Sequence, residues 1–170
     1  KYPMSLPVRD YQVENNLLNW SILEKYKHPV TDIVFCDRYF FSKERLVEVN
    51  LIPLLKSIIT NKDAHFNFTI FTSNDVFQRD ISLLINWIQA LLKKAYFNCT
   101  VTLVIDTANQ FQEHDRGLIT NYFHFSAGDS FNFFNERGGL KTKGTTIQIN
   151  PLVRSDYRNN ALAVLKNLKR

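Results

Sequence analysis

Phe66-Asn67-Phe68-Thr69-Ile70-Phe71 and Thr100-Val101-Thr102-Leu103-Val104-Ile105 are short apolar runs separated by a regular stripe: Ile81, Leu84, Ile85, Ile88, Leu91, Leu92 and Ala95. β-branched and aromatic residues crowd both runs, which reads as two strands. The stripe keeps the spacing of one helical face, and so clean a stripe is core packing without chemistry. A further run, Asp32-Ile33-Val34-Phe35-Cys36, precedes a second helical pattern from about Lys43 to Ile59, on which Leu51, Leu54, Leu55 and Ile58 share a face. The order is strand, helix, strand, helix, strand. It implies an α/β fold whose mixed, largely parallel sheet is flanked by helices.

Punctuation refines this outline. Pro53 implies that the first helix starts just before it or kinks there. Ser73, Asn74 or Asp75 is expected to cap the second, and Lys93 and Lys94 suit its last turn. After Asp106 the alternation stops. Gly117 to Asn121 and Tyr122 to Ala127 read as two short strands, or as one strand bent at Asn121. A glycine turn at Gly138-Gly139 and Gly144 leads to a strand at Thr145 to Ile149. Ala161, Val164, Leu165 and Leu168 mark a closing amphipathic helix. Residues 1–31 read as an arm or short helical segment, and 32–170 as the α/β domain.

Composition sets the class. A chain of 170 residues is one domain by default and can bury a sizeable core. The 45% apolar and 22% charged content is that of an ordinary soluble domain, and 14 phenylalanines imply an aromatic core. A net charge of +5 favours acidic partners, nucleic acid or anionic lipid. Cys36 and Cys99 lie in apolar strands and read as core thiols, which suits a reducing, cytoplasmic compartment. No apolar run reaches the roughly 18 residues of a membrane span, and Lys1 to Asp10 lack the apolar stretch of a signal peptide. Position 1 is not Met, so processing or a place in a larger multidomain protein is expected.

The chemistry concentrates at His114-Asp115-Arg116. On a strand His114 and Arg116 point to one face. The guanidinium offers forked donors to phosphate oxygens, and the imidazole can attack phosphorus or move a proton near neutral pH. Asn121 follows five residues after Arg116, and Gly128-Asp129-Ser130-Phe131-Asn132 supplies a small-residue turn. His124 reads as a strand-surface residue, and His28 and His65 as solvated loop residues. Asp37, Asp106, Asp115 and Asp129 lie at strand ends, where aspartates cap turns, and no metal site or cofactor is expected. The stretch Gly138 to Gly144 lacks the spacing of a phosphate-binding Walker loop. It reads as a flexible basic hairpin whose Lys141 and Lys143 can meet a nucleic-acid backbone.

The order His114-Asp115-Arg116, four residues, Asn121, six residues, Gly128-Asp129-Ser130-Phe131-Asn132 resembles the signature of the phospholipase D superfamily. That signature is H-x-K, four residues, D, six residues, G-S-x-N. The resemblance covers roughly Asp32 to Phe134 and implies a single repeat of that fold. In the family the histidine is the nucleophile, the lysine binds phosphate and the aspartate orients a histidine. Here Arg116 replaces the lysine, Asn121 replaces the aspartate and Asp129 is inserted before the serine. The H-D-R variant also resembles the phospholipase-D-like C-terminal domain of MIT-domain proteins, which binds membranes without known catalysis. The family's active site needs two such motifs and this chain has one, so turnover requires a homodimer.

The expectation is therefore a phosphodiester-recognising domain, on nucleic acid in preference to lipid, with catalysis impaired or absent. His114, Arg116 and Asn121 form its catalytic-type set, and Gly128, Ser130, Asn132, Lys141 and Lys143 bind the ligand. The alternatives are a metal-independent homodimeric nuclease or phosphodiesterase with His114 as nucleophile, and a partner-binding or membrane-surface module with a vestigial pocket.

Overall fold

The computed structural model describes residues 9–13, 20–107, 116–141 and 145–168. Among them seven strands form one sheet: β1 (Arg9–Val13), β2 (Asp32–Cys36), β3 (Phe66–Ser73), β4 (Cys99–Asp106), β5 (Gly117–Ile119), β6 (Phe123–Ala127) and β7 (Thr145–Pro151). Their order across the sheet is β1-β7-β6-β5-β2-β3-β4. β2, β3 and β4 run parallel, and every other neighbouring pair is antiparallel. The fold is α/β, with a mixed sheet flanked by helices. Helices α1 (Glu44–Ile58) and α2 (Ile81–Lys94) are the crossovers that parallel neighbours need.

Period-two alternation assigns the faces. Ile33 and Phe35 of β2 and Phe66, Phe68 and Ile70 of β3 lie in the main core with Leu51, Leu54 and Leu55 of α1 and Leu84, Ile88 and Leu92 of α2. The alternate residues Val34, Cys36 and Phe71 meet Val164 and Leu168 of the closing helix α3 (Ser155–Leu168) on the opposite face. Both cysteines are buried, with no disulfide between them.

Two local expectations change. α1 begins well before Pro53 and continues past it, because Val47, Leu51, Leu54, Leu55 and Ile58, on both sides of the proline, bury in one core. α2 starts later than expected: its N-cap is Asp80, whose carboxylate accepts from the Leu83 N–H at 3.1 Å, and not a residue of 73–75. The described residues before 32 join the same sheet and core. β1 pairs with β7, and a 3-10 helix (Trp20–Tyr26) buries Trp20, Leu23 and Tyr26. Trp20 stacks on Phe133 at 4.8 Å between centroids and meets Phe134 edge-on at 5.9 Å, so it anchors the chain that follows β6.

Candidate functional site

The C-terminal ends of β2 and β3 meet the start of β5 and the turn after β6, at the strand ends where open α/β sheets place their ligands. Asp37, directly after β2, organises this corner. Its backbone N–H extends the ladder to Phe71 O at 3.1 Å, and its side chain is fully buried. One carboxylate oxygen accepts from the N–H groups of Tyr39 (3.0 Å) and Phe40 (3.1 Å), a tight local turn. The other accepts from the Ser130 hydroxyl (2.9 Å) and the Phe131 N–H (2.7 Å), tying in the turn after β6. Burial pushes the Asp37 carboxyl up. The donors at Phe131, Tyr39 and Ser130 and the charge of Arg116 pull against that.

Arg116 immediately precedes β5, and its side chain is 15% exposed. Its Nη1 donates to Gly128 O at 3.0 Å and lies 3.5 Å from the Asp129 carboxylate. The guanidinium sits 5.7 Å from the centroid of the Tyr39 ring, which is 42% exposed. Its Nε–H is buried and has no acceptor among the described residues. Asp129 is 57% exposed and also accepts from the Ser130 N–H at 2.8 Å. The Asn132 amide donates to the carbonyls of Tyr39 (3.1 Å) and Phe40 (3.2 Å), while its own Oδ1 is buried without a donor.

The structure thus gathers Arg116, Gly128, Ser130 and Asn132 around Asp37 and Tyr39. The donors of Ser130 and Asn132 are spent on building the turn, whereas Arg116 keeps an Nε–H without an acceptor among the described residues. Gly128 contributes its carbonyl and needs no glycine for space, because nothing lies within 4 Å of where a Cβ would stand. His114, Asp115 and Lys143 lie outside the described residues.

Asn121 does not join them. It closes the β5–β6 turn at the other end of the sheet. Its Oδ1 accepts from the N–H groups of Thr31 (2.8 Å) and Asp32 (3.3 Å), and its amide donates to Thr31 Oγ1 at 2.7 Å. β5 runs antiparallel to β2, so five extended residues carry Asn121 about 17 Å from Arg116. Asn121 locks a turn, and it orients nothing at the Arg116 corner.

Two histidines also differ from expectation. His28 is fully buried, with Nδ1 2.6 Å from Tyr26 O and Nε2 2.7 Å from Thr120 Oγ1, and burial lowers its pKa. His124, on β6, is mostly buried and pushed down to about 4 by that burial. A Cβ at Gly117 would stand 2.8 Å from its Nε2, so the glycine makes room for the ring. His65 is exposed and pairs with Thr100 Oγ1 at 2.8 Å. Among the described residues no three His, Cys, Asp or Glu side chains lie together as metal ligands would.

Lys141 is exposed and lies apart from Arg116. It lines a cavity of about 510 Å3 with Ser42, Lys43, Leu46, Asn135, Glu136 and Arg137, where the hairpin after Phe134 meets the start of α1. Gly138, at φ +84°, makes the reversal of that hairpin, whose Phe134 and Leu140 form an isolated bridge. Sequence reasoning treated Asp37 only as a possible ligand or cap and passed over Tyr39. The available signal was an acidic residue directly after a buried strand, which is costly unless donors converge on it.

No family model matches the chain, and no curated protein matches it. Among solved structures it is similar to TrmBL2, an archaeal chromatin protein whose structure was described as showing a novel mode of DNA binding. That likeness has a TM-score of 0.46 at 16% identity and covers 95% of this chain and 51% of that one. This chain therefore spans about half the length of that protein. A likeness this shallow carries nothing about what this chain binds.

Proposed function

We propose that this domain recognises a phosphodiester, on nucleic acid in preference to lipid, through Arg116, and that it binds without turning its ligand over. The observation that carries the reading is the Arg116 guanidinium. It is largely withdrawn from water, steadied by Gly128 O and the Tyr39 ring, and left with an N–H that no described residue accepts. A planar fork held this way suits a phosphate oxygen, because the donors are already oriented and little side-chain freedom remains to be lost. Asp129 is the internal competitor, since its carboxylate lies where an incoming anion would compete for Nη1. The resemblance to phospholipase-D-like domains supports the same corner. The distance of Asn121 from it favours binding over the histidine chemistry of that family.

The reading is tested by fluorescence anisotropy with labelled single-stranded DNA and by sedimentation with anionic vesicles, at two salt concentrations. Arg116→Ala is expected to weaken DNA binding about tenfold and to reduce the salt slope by about one contact. Asp129→Asn is expected to tighten it, because the competing charge is gone. Unchanged binding in Arg116→Ala means the ligand sits elsewhere. Cleavage of DNA in EDTA, lost in His114→Ala, would replace the binding reading with the nuclease one.

A further inference from the structure

We infer that the cavity between the start of α1 and the 134–141 hairpin is a second phosphate subsite, and that the ligand is a single strand of nucleic acid crossing Tyr39 between the two. The inference rests on the phosphodiester reading of Arg116 and adds a second anchoring point and a polymer.

Among the described residues, the cavity of about 510 Å3 is lined by three cations, Lys43, Arg137 and Lys141, against one carboxylate, Glu136. Glu136 pairs with Lys43 at 3.2 Å, and both side chains are largely exposed, so the pair is weak and easily exchanged for a phosphate. Arg137 and Lys141 make no ion pair among the described residues. Lys43 is also the N-cap of α1 and supplies no side-chain cap. Glu44, in the first turn of α1, offsets the positive end of the helix, so the cations themselves carry the charge of the cavity.

Ser42 lines this cavity, and its N–H and hydroxyl both bond the Tyr39 carbonyl, at 3.3 Å and 2.8 Å. Residues 39–42 therefore form one β-turn, whose ends lie within about 7 Å of each other. One end carries the Tyr39 ring beside Arg116, and the other opens into the cavity. Asn132 bonds the Tyr39 and Phe40 carbonyls and fixes this turn to the Gly128–Asn132 turn. The two cationic places are thus held on one rigid piece of chain with a half-exposed aromatic ring between them.

That sequence of features, a cation, an aromatic ring and a cavity of further cations, is how proteins hold single strands: phosphates on the cations and a base on the ring. An anionic membrane surface asks for something different, cations on a projecting face beside apolar side chains that insert. Here the cations line a concavity. Of the large exposed hydrophobic side chains, Tyr39 is the one that belongs to this corner. A free phosphate or single headgroup would use one subsite and leave the other idle.

The experiment measures the binding of thymidine oligonucleotides to the whole chain, from a dinucleotide to about twelve nucleotides, in the range of known single-strand site sizes. Native protein is expected to bind more tightly with length. The double variant Arg137→Ala/Lys141→Ala should lose about tenfold with the longest oligonucleotide and lower the salt slope by about 1.4. The loss should be smaller for a dinucleotide, whose single phosphate can sit on Arg116. Tyr39→Ala should lose about tenfold with the long strand, and Glu136→Gln should gain. Arg137, Lys141 and Glu136 are exposed, and circular dichroism checks that each variant is folded. The inference falls if the double variant binds long strands like the native chain while Arg116→Ala weakens them, a result that leaves the Arg116 site standing. It falls together with the Arg116 reading if neither variant matters. It also falls if the double variant loses binding to anionic vesicles while no oligonucleotide binds the native chain.

Discussion

Asp37 is an ionisable side chain with no exposed surface, and it persists because donors from two distant parts of the chain converge on it. Local donors at Tyr39 and Phe40 shape the exit from β2, and the distant pair at Ser130 and Phe131 fastens the turn after β6. Removing the carboxylate strands buried N–H groups on both sides, and each unmet buried donor costs about 1–3 kcal/mol. Asp37→Ala is therefore expected to destabilise the domain by about 3–5 kcal/mol, as losing one partner of a buried charged network does. Asp129→Ala, at an exposed carboxylate beside the same arginine, should change stability by less than about 0.5 kcal/mol. Urea titration of the two variants checks the contrast. A loss in Asp37→Ala no larger than that in Asp129→Ala would show that the convergence of donors does not hold the corner.

Elements differ in how much of their position the local sequence carries. The stripe from Leu84 to Leu92 fixes a helix and its buried face, since periodicity is a local property that burial rewards directly. Its start is not local in this sense. Ser73, Asn74, Asp75 and Asp80 are all acceptable caps, and the choice is made by what else each one does. The Ser73 hydroxyl bonds Arg38 O at 2.7 Å at the end of β3, leaving Asp80 free to cap. Asp80→Ala should thus cost about 1 kcal/mol, the usual worth of a cap, while Asn74→Ala, exposed outside the helix, should cost almost nothing. Thermal denaturation separates them, and equal shifts would refute the assignment. Strand β1 was illegible for a related reason. Five residues, Arg9-Asp10-Tyr11-Gln12-Val13, carry too little alternation to announce a strand, and the partner that makes them one, β7, lies far along the chain. The candidate site was half legible: Arg116 and the Gly128–Asn132 turn could be found by spacing. Asn121 was misplaced because spacing does not reveal that an intervening strand runs away from the site.

At the scale of the whole molecule, three buried ionisable groups tie stability to pH: Asp37, His28 and His124. Asp37 and Arg116 sit at one end of the sheet, and two imidazoles are buried: His28 beside the 3-10 helix and the β5–β6 turn, and His124 on β6 against Gly117, the residue after Arg116. Both histidines have their pKa lowered by burial, His124 to about 4 from 6.5. The native state thus resists a proton that the unfolded chain accepts readily. The stability each contributes is present above the unfolded value near 6.5 and is lost as pH falls toward the folded one. Asp37 acts in the opposite sense: its raised carboxyl contributes stability in acid that fades as pH rises through its folded value. A measurement on the native chain alone would mix the two signs, whereas a neutral replacement isolates one. His124 by itself is worth about 2 kcal/mol between pH 7 and pH 5. Urea titrations at these two pH values are expected to show the native chain losing more stability than His124→Gln, by about that amount. If both proteins lose stability equally, His124 is not held neutral in the fold, and its place beside Gly117 is a matter of fit alone.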